Sequence, residues 1–373
     1  MCYPDVSYEP DSERNLLVTY AVRSVYGSVQ TFAQVVAALV KNSAIRKTSE
    51  RLTARVYFVD ERSGSLKLAY PIELFEPDNV AQWLSIIAGD LRSSHIIGPL
   101  DVRIPKIMTE CYKGPKFGIE GLRRLLGTEG TRRPHLAVAL GEIGMTAEEM
   151  STMAYDVGTG GIDLFRDVVA LTDQSFCRLP TRVVSMMEAI DRVQEEGGRR
   201  ILYAVNVTSE ASKVLDRADT AIEHGANCLM IDVSAVGLSS VRQLSADASI
   251  AVPVHALCSF SALNGEHTSN LIFSKLMRLL GCDQLEIGIG DAVDEEAKAS
   301  KDALIVDWQG FKGVFPVAVG DINPRTIHSI IEEMGKDLVL FANEGVWAHP
   351  RGGRAGAMET NQAIDAAMGG NTL

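Results

Sequence analysis

The sequence predicts an α/β protein in which an N-terminal α+β, ferredoxin-like domain is followed by a (β/α)8 TIM barrel. After residue 134, eight short apolar runs alternate with helix-like stretches in one continuous block. A doubly wound sheet is the main rival, but no GxGxxG fingerprint follows the first run, and eight regular units favour closure. Before residue 115 the order is strand, helix, strand, strand, helix, which is typical of an α+β domain. We therefore predict two domains, residues 1–120 and 121–373.

The N-terminal elements follow from the spacing of apolar residues. Alternation of apolar and polar residues predicts three strands, at 15–22, 54–61 and 66–75. Helical spacing predicts two helices, at 31–40 and 79–91.

The eight barrel strands are predicted at the apolar runs HLAVAL (135–140), GIDLF (161–165), ILYAVNV (201–207), CLMIDV (228–233), IAVPVHA (250–256), QLEIGI (284–289), VFPVAV (314–319) and LVLFAN (338–343). Chemistry in this fold lies at the C-terminal ends of the strands, which we call the barrel mouth. The polar residues expected there are Glu142, Arg166, Asp167, Asn206, Thr208, Asp232, His255, Glu286, Asp321, Asn343 and Glu344.

Composition excludes several classes of function. The 373 residues carry a formal net charge of −12, which argues against nucleic-acid partners and against an anionic membrane surface. The N-terminus lacks the basic and apolar regions of a signal peptide, and no apolar run approaches the roughly 18 residues of a membrane span. The six cysteines form no CxxC pair. These features predict a cytoplasmic protein in a reducing compartment.

Eight segments occur in the order and spacing of one known family. They are AYPIELFEPDNVAQWLSIIAGDL (69–91), PLDVRIP (99–105), GPKFGI (114–119), RP (133–134), YAVNVT (203–208), LMRLLGCDQLEIG (276–288), GVFPVAVGDINP (313–324) and HPRGGRAGA (349–357). With them the chain resembles ribulose-bisphosphate carboxylase/oxygenase (RuBisCO) large chains, and more closely the RuBisCO-like, form IV proteins. The resemblance implies a head-to-tail homodimer in which the N-domain of one subunit completes the barrel mouth of the other.

The same resemblance implies that the magnesium site of the family is absent. The family signature GGxDxxKDDE carries a carbamylated lysine and two acidic ligands, and here it reads GGIDLFRDVV. Arg166 replaces the lysine, Val168 and Val169 replace the acids, and only Asp167 is kept. Arginine stays protonated and forms no carbamate, and valine offers no oxygen to a hard cation. We expect no cofactor, although an unconventional divalent metal elsewhere in the mouth stays open.

Other family positions have changed as well. The two lysines of the first strand correspond to Leu140 and Glu142, and the HxHR motif is HALC, in which only His255 is kept. Glu286 stands at the histidine of the sixth strand. Asp321 and Glu344 stand among the glycines that would bind phosphate, where carboxylates repel an anion. We therefore expect that sugar bisphosphates are not bound in the family manner and that carboxylation is lost.

Three hypotheses describe what the altered mouth does. First, Glu142 and Arg166 form an ion pair across neighbouring strands, because a charge left buried alone is costly. Second, an acidic mouth forms a new active site of lyase or isomerase type for a small cationic or neutral substrate. Third, the protein is a non-catalytic binding or regulatory homologue, which a mouth filled by Phe165, Phe341 and Trp347 would favour.

The residues assigned under the second hypothesis form two groups. His255 is the candidate general acid or base, with Glu286 or Glu142 as its partner. The full predicted catalytic set is His255, Glu286, Glu142, Arg166 and Asp167. The predicted substrate-binding set is Asn206, Asp321, Asn343 and Glu344.

Overall fold

The computed structural model describes residues 8–22, 52–60, 62–88, 96–259, 269–290 and 292–369. The chain divides into two compact units, with the boundary between Tyr112 and Lys113 and with residues 269–273 grouped with the first unit. The boundary predicted at residue 120 stays a prediction. Among the helices in these ranges, none combines the length and the apolar character needed to cross a bilayer.

The first unit contains a four-stranded antiparallel sheet in the order β2-β3-β1-β4. Its strands are β1 (Asn15–Val22), β2 (Arg55–Asp60), β3 (Ser65–Pro71) and β4 (Ile96–Arg103), and its helices are α1 (Val80–Ile87) and α2 (Lys106–Thr109). The three predicted strands and the helix at 79–91 are therefore present, whereas the helix predicted at 31–40 lies outside the described residues. Asn79 begins α1 because its side chain accepts a hydrogen bond from the N–H of Gln82.

The second unit is a closed barrel of eight parallel strands, which confirms the predicted fold class. The strands are β5 (His135–Leu140), β6 (Leu164–Asp167), β7 (Leu202–Asn206), β8 (Cys228–Asp232), β9 (Val254–Leu257), β10 (Gln284–Gly290), β11 (Phe315–Gly320) and β12 (Val339–Phe341). The barrel closes where β12 pairs with β5, with Val339 opposite His135.

Helices cover the outside of the barrel and follow most strands. They are α3 (Gly118–Leu126), α4 (Ala147–Gly158), α5 (Leu179–Gly197), α6 (Val214–Glu223), α7 (Val233–Val236), α8 (Leu238–Ala246), α9 (Asn270–Leu280), α10 (Glu295–Ile305), α11 (Ile327–Met334), α12 (Asn343–Trp347) and α13 (Gly353–Ala367). Thr146 and Glu149 form a capping box at the start of α4, which explains why that helix begins directly after the β5 loop.

The barrel interior is filled by side chains from alternate positions of the strands. Ala137, Leu164, Met230, Phe315 and Val339 belong to one buried apolar cluster that draws on most of the strands. Helix α3 adds its apolar face to the same cluster and closes the end of the barrel opposite the mouth. Because this apolar packing stabilises the barrel at the closed end, the C-terminal ends of the strands can carry polar side chains.

At that closed end, His135 is a buried neutral group whose titration couples stability to pH. Its Nε2 lies 2.8 Å from Oγ1 of Thr128, and its ring packs 5.0 Å from the ring of Phe315. Burial lowers the pKa of His135 to about 4; Asp163 opposes this shift and three nearby arginines add to it. The folded protein therefore favours the uncharged imidazole.

We expect this histidine to destabilise the fold in mild acid. Above pH 6.5 both states carry a neutral imidazole, but as the pH falls towards 4 only the unfolded chain takes up the proton, so folding weakens. Between pH 7 and 5 the loss amounts to about 2 kcal/mol of unfolding free energy. Urea unfolding of the wild type and His135→Gln at both pH values measures it. An equal loss in both proteins would remove His135 as the cause.

Candidate functional site

Arg166 lies at the centre of the mouth and reaches across the barrel. It is on β6, and three strands separate β6 from β10 in either direction around the barrel. Its Nε lies 2.7 Å from Oε1 of Glu286 on β10. The direction of the Nε–H bond does not satisfy hydrogen-bond geometry, so the contact is a close ion pair. The guanidinium also donates from Nη1 to the carbonyl of Asp167 (3.1 Å) and lies 4.2 Å above the ring of Phe341.

Glu286 connects this arginine to a buried histidine. Nε2 of His255 lies 3.1 Å from the same Oε1 atom, and Nδ1 of His255 lies 2.8 Å from Oε1 of Gln284. His255 is fully buried. The pairing of β9 with β10 places it opposite Gln284. Burial opposes ionisation of Glu286, but the hydrogen bond with His255 and the charge of Arg166 outweigh it and lower the pKa of the carboxyl. Glu286 is therefore an anion at neutral pH.

The ion pair predicted between Glu142 and Arg166 is wrong. Strand β5 ends at Leu140, and Gly141 turns the chain away with a positive φ of 90°. Glu142 is consequently exposed, and Arg166 pairs with Glu286 instead. The buried charge of Arg166 does have a counter-charge, as expected, but that charge is the carboxylate of Glu286 on the opposite side of the barrel.

Asp167 was predicted to be catalytic, but its carboxylate is occupied by the fold. Residues alternate along β6, so Asp167 points away from the interior that Arg166 faces. Its Oδ1 accepts from the hydroxyl of Tyr203 (2.5 Å), and Oδ2 accepts from Nη2 of Arg182 (3.1 Å) and from the N–H of Asn206 (2.9 Å). Asp167 and Arg182 are both completely buried. The group therefore holds β6, β7 and α5 together.

Tyr203 and Arg182 were not identified from the sequence. The sequence contains only an indirect indication of Arg182. A buried Asp167 carboxylate requires a partner, and Arg182 lies on the helix that follows β6. Tyr203 is on β7, paired with Phe165 of β6, which brings its hydroxyl to Asp167.

Two predicted substrate-binding asparagines use their amides for the backbone. The Nδ2 of Asn206 donates to the carbonyl of Val169, and its Oδ1 accepts from the N–H of Thr208. Oδ1 of Asn343 accepts from the N–H of Ala139 at 3.1 Å. These contacts tie the ends of β6, β7 and β12 to their neighbours.

The remaining predicted residues are exposed and separate from the ion pair. Asp321 accepts a hydrogen bond from the side chain of Asn323 within its own loop, and Glu344 lies exposed in α12. Within the described ranges, neither side chain contacts Arg166 or Glu286. Of the nine predicted site residues, the structure thus brings together Arg166, Glu286 and His255.

The mouth is not filled by the three aromatic residues considered from the sequence. Phe165 points to the outside of β6, and Trp347 donates its indole N–H to the carbonyl of Ala139. Only Phe341 shares the interior with Arg166, lying beneath the guanidinium.

Exposure rises along the inner face of β10 towards its C-terminal end. Gln284 is buried, the side chain of Glu286 is 12% exposed and Gly288 is exposed. A Cβ atom added at Gly288 would meet no described atom within 4 Å. Its register partner on β11, Val319, is partly buried. Among the residues that the structure describes, none fills the space beside Gly288.

The fold and the site define a class: a two-domain protein whose second domain is a closed (β/α)8 barrel with an ionic group at its mouth. Two family models account for nearly the whole chain. The N-terminal domain of the ribulose bisphosphate carboxylase large chain matches residues 2–108, and the catalytic domain matches residues 118–373. The chain belongs to the ribulose bisphosphate carboxylase large-chain family.

Individual relatives agree with this assignment. The chain is 34% identical over 356 residues to the ribulose bisphosphate carboxylase of Methanocaldococcus jannaschii, covering 87% of this chain and 83% of that relative. It is 36% identical over 325 residues to a ribulose bisphosphate carboxylase-like protein of Archaeoglobus fulgidus, covering 84% and 74%. Crystal structures of octameric Rubisco from Pyrococcus horikoshii and dimeric Rubisco from Hyperthermus butylicus superpose with TM-scores of 0.88 and 0.86. Their identities are 29% and 30%, and each match covers 98% of this chain and 91% or 93% of the other.

The residues at the family's metal position do not fit a divalent cation. Arg166 carries a fixed positive charge that is already paired with Glu286, and both valines pack against the apolar cluster of the barrel. In the part of the chain that the structure describes, no group of three or more His, Cys, Asp or Glu side chains is arranged to hold a metal ion. The oxygen donors that magnesium requires are absent from these three positions.

Proposed function

We propose that this chain is a RuBisCO-like protein that does not carboxylate ribulose bisphosphate and that binds a small non-bisphosphate ligand at its barrel mouth. One observation carries the proposal. The side chain at the position of the family lysine is an arginine, and it is engaged by Glu286 at 2.7 Å. Carbamate formation needs an uncharged amine, which a paired guanidinium does not provide.

The lowered pKa of Glu286 and the burial of His255 support ligand binding better than catalysis. A general base works best when its pKa lies near the operating pH, whereas the pKa of Glu286 is lowered. His255 is fully buried behind Glu286, and the carboxylate of Asp167 is engaged on both oxygens. This arrangement suits recognition by fixed charges and hydrogen bonds.

Acid–base chemistry of lyase or isomerase type is the second candidate. It is favoured by the contact of 3.1 Å between Nε2 of His255 and Oε1 of Glu286, along which a proton could move. Under this alternative, a ligand that binds to the mouth is also converted, and Glu286→Gln abolishes turnover while ligand binding persists.

Self-association is part of the proposal. The structural relatives named above are dimeric in one case and octameric in the other, and the family resemblance implies a head-to-tail homodimer. Light scattering that gave the mass of a single 40.4 kDa chain at assay concentration would count against it.

The carboxylation proposal predicts no fixation of labelled bicarbonate. The purified chain is incubated with ribulose bisphosphate, magnesium and radioactive bicarbonate, and acid-stable label is counted. We expect the background of a protein-free sample, because the lysine and both acidic ligands are replaced. The Methanocaldococcus jannaschii relative serves as the positive control. Fixation above background that disappears in Arg166→Met would overturn the proposal.

A further inference from the structure

The eight barrel strands form four consecutive pairs, and three of these are held together at the closed end by one kind of hydrogen bond. The side chain directly before the second strand of the pair accepts from a backbone N–H at the start of the first strand, and we call this bond a strand clamp. The clamps join Leu136 N–H to Oδ2 of Asp163 (2.8 Å, β5–β6), Tyr203 N–H to Oδ1 of Asn227 (2.7 Å, β7–β8) and Val254 N–H to Oδ2 of Asp283 (3.0 Å, β9–β10). Each clamp satisfies a buried N–H at the edge of the strand ladder.

The clamps belong to a sequence pattern that occurs four times. A glycine, any residue and an Asp or Asn precede the second strand of every pair, as GID (161–163), GAN (225–227), GCD (281–283) and GKD (335–337). Each of these glycines has a positive φ, between 83° and 105°, where the chain passes from a helix to a strand. The pattern therefore predicts a fourth clamp, between Asp337 and β11.

The fourth clamp is absent, because β11 has no N–H that could donate to Asp337. Continued by two residues, the register of β11 and β12 places Phe315 opposite Asp337, but the N–H of Phe315 donates to the carbonyl of Asp283 on the β10 side at 2.9 Å. The next residue is Pro316, which has no N–H. Among the described residues, the carboxylate of Asp337 is instead bound by arginine side chains.

Arg123 of helix α3 takes the place of the missing clamp. Its Nε and Nη2 donate to Oδ1 of Asp337 at 3.1 and 2.8 Å, and Nη2 also reaches the carbonyl of Lys336 at 3.2 Å. Its Nη1 donates to the carbonyl of Arg133 at 2.9 Å. Asp337 lies just before β12 and Arg133 lies just before β5, the two strands whose pairing closes the barrel. One completely buried side chain therefore joins the starts of both strands of this seam.

Helix α3 is also held at its N-terminal end. Oδ1 of Asp283 accepts from the N–H groups of Phe117 and Gly118 at 2.7 and 2.9 Å, while Oδ2 of the same carboxylate forms the β9–β10 clamp. A carboxylate at this end of a helix also interacts favourably with the helix dipole. The helix thus extends from a clamped strand pair to the seam.

We propose that α3 is a strap that holds the barrel closed: Arg123 substitutes for the fourth clamp, and its loss opens the seam between β12 and β5 while the clamped strand pairs stay folded. Strand β12 contributes only three residues to the seam, so few backbone hydrogen bonds resist its opening. The strap acts at the closed end and is independent of the function proposed for the mouth.

Hydrogen exchange of single backbone amides tests the strap. The seam reporters are the N–H groups of His135 and Ala342, which bond β5 to β12. The reference reporters are the N–H groups of Leu202 and Leu229, which bond β7 to β6 and β8 to β9. Exchange is followed by NMR at pH 7 in the full-length wild type and in Arg123→Met. We expect the ratio of seam to reference exchange rates to rise at least about tenfold in the variant, because hydrogen bonds of a charged group are lost only at the seam.

Arg278→Met is the matched control. Arg278 is also almost completely buried, but its guanidinium donates to backbone carbonyls away from the seam, those of Lys312, Ala303, Val306 and Phe311. This variant should keep the wild-type ratio of seam to reference exchange, even where it accelerates all four amides.

A second variant keeps the test open if Arg123→Met does not fold. The Asp337 side chain is 34% exposed, and Asp337→Ala leaves Arg123 its bonds to the carbonyls of Lys336 and Arg133. It should raise the same ratio by a smaller factor.

Two results would overturn the inference. Equal acceleration of all four amides in Arg123→Met or in Asp337→Ala would mean that Arg123 stabilises the whole barrel rather than the seam. A ratio that stays at the wild-type value in both variants would mean that the seam does not depend on α3. The bicarbonate assay of the proposed function is a separate measurement, so either proposal can fail while the other stands.

Discussion

Replacement of Asp167 by alanine is expected to reduce the free energy of unfolding by about 3–5 kcal/mol. Removal of the carboxylate leaves Arg182 completely buried without its counter-charge, and it also deprives the hydroxyl of Tyr203 and the N–H of Asn206 of their acceptor. An unpaired buried cation is among the most costly defects a mutation can produce. Urea unfolding monitored by circular dichroism at pH 7 measures the loss.

An exposed ion pair provides the matched control for this experiment. Glu210 contacts Lys213 at 3.0 Å, but both side chains are exposed, so Glu210→Ala removes a carboxylate without leaving a buried charge. Its unfolding midpoint should equal that of the wild type. If Asp167→Ala unfolds at the wild-type midpoint but loses ligand binding, then Asp167 belongs to the site and its structural role is wrong.

The barrel could be predicted because its strands are buried on both faces. Every residue of β5 and of β8 is buried, so each strand is a continuous apolar run in the sequence. Such a run can be recognised without knowing which strands lie beside it. The positions of Arg166, His255 and Glu286 followed from family motifs at the strand ends. Those motifs specify the strand on which a side chain lies and its position along that strand.

The partners could not be predicted, because they depend on closure of the barrel. From the sequence, Glu142 is the expected partner of Arg166, because both replace residues of the family's metal centre on neighbouring strands. The true partner, Glu286, lies on the opposite strand. The role of Asp167 was missed for a different reason. Side chains alternate along a strand, and Leu164 and Arg166 face the barrel interior. Alternation along β6 by itself therefore predicts that Asp167 points outward.

The ion pair across the barrel predicts a strong dependence of each partner on the other. Glu286→Met leaves the Arg166 guanidinium largely buried without an anion, and Arg166→Met leaves the Glu286 carboxylate with only His255. We expect each single change to cost about 3 kcal/mol at pH 7, near the lower end for a broken buried pair. Neutral pH is the appropriate condition, since the lowered pKa of Glu286 means that its contribution is fully present above the ordinary carboxyl pKa and is lost only in acid.

The double variant Arg166→Met/Glu286→Met is expected to be more stable than either single variant. Two methionines replace two charges in the space beside Phe341, and apolar replacements of buried pairs are often neutral. The coupling energy from the complete cycle should therefore be at least about 2 kcal/mol. Losses that simply add would mean that Arg166 is held by the ring of Phe341 and the carbonyl of Asp167 rather than by Glu286. In that case the ion pair would not fix the position of Glu286 at the mouth, and only its contact with His255 would hold it there.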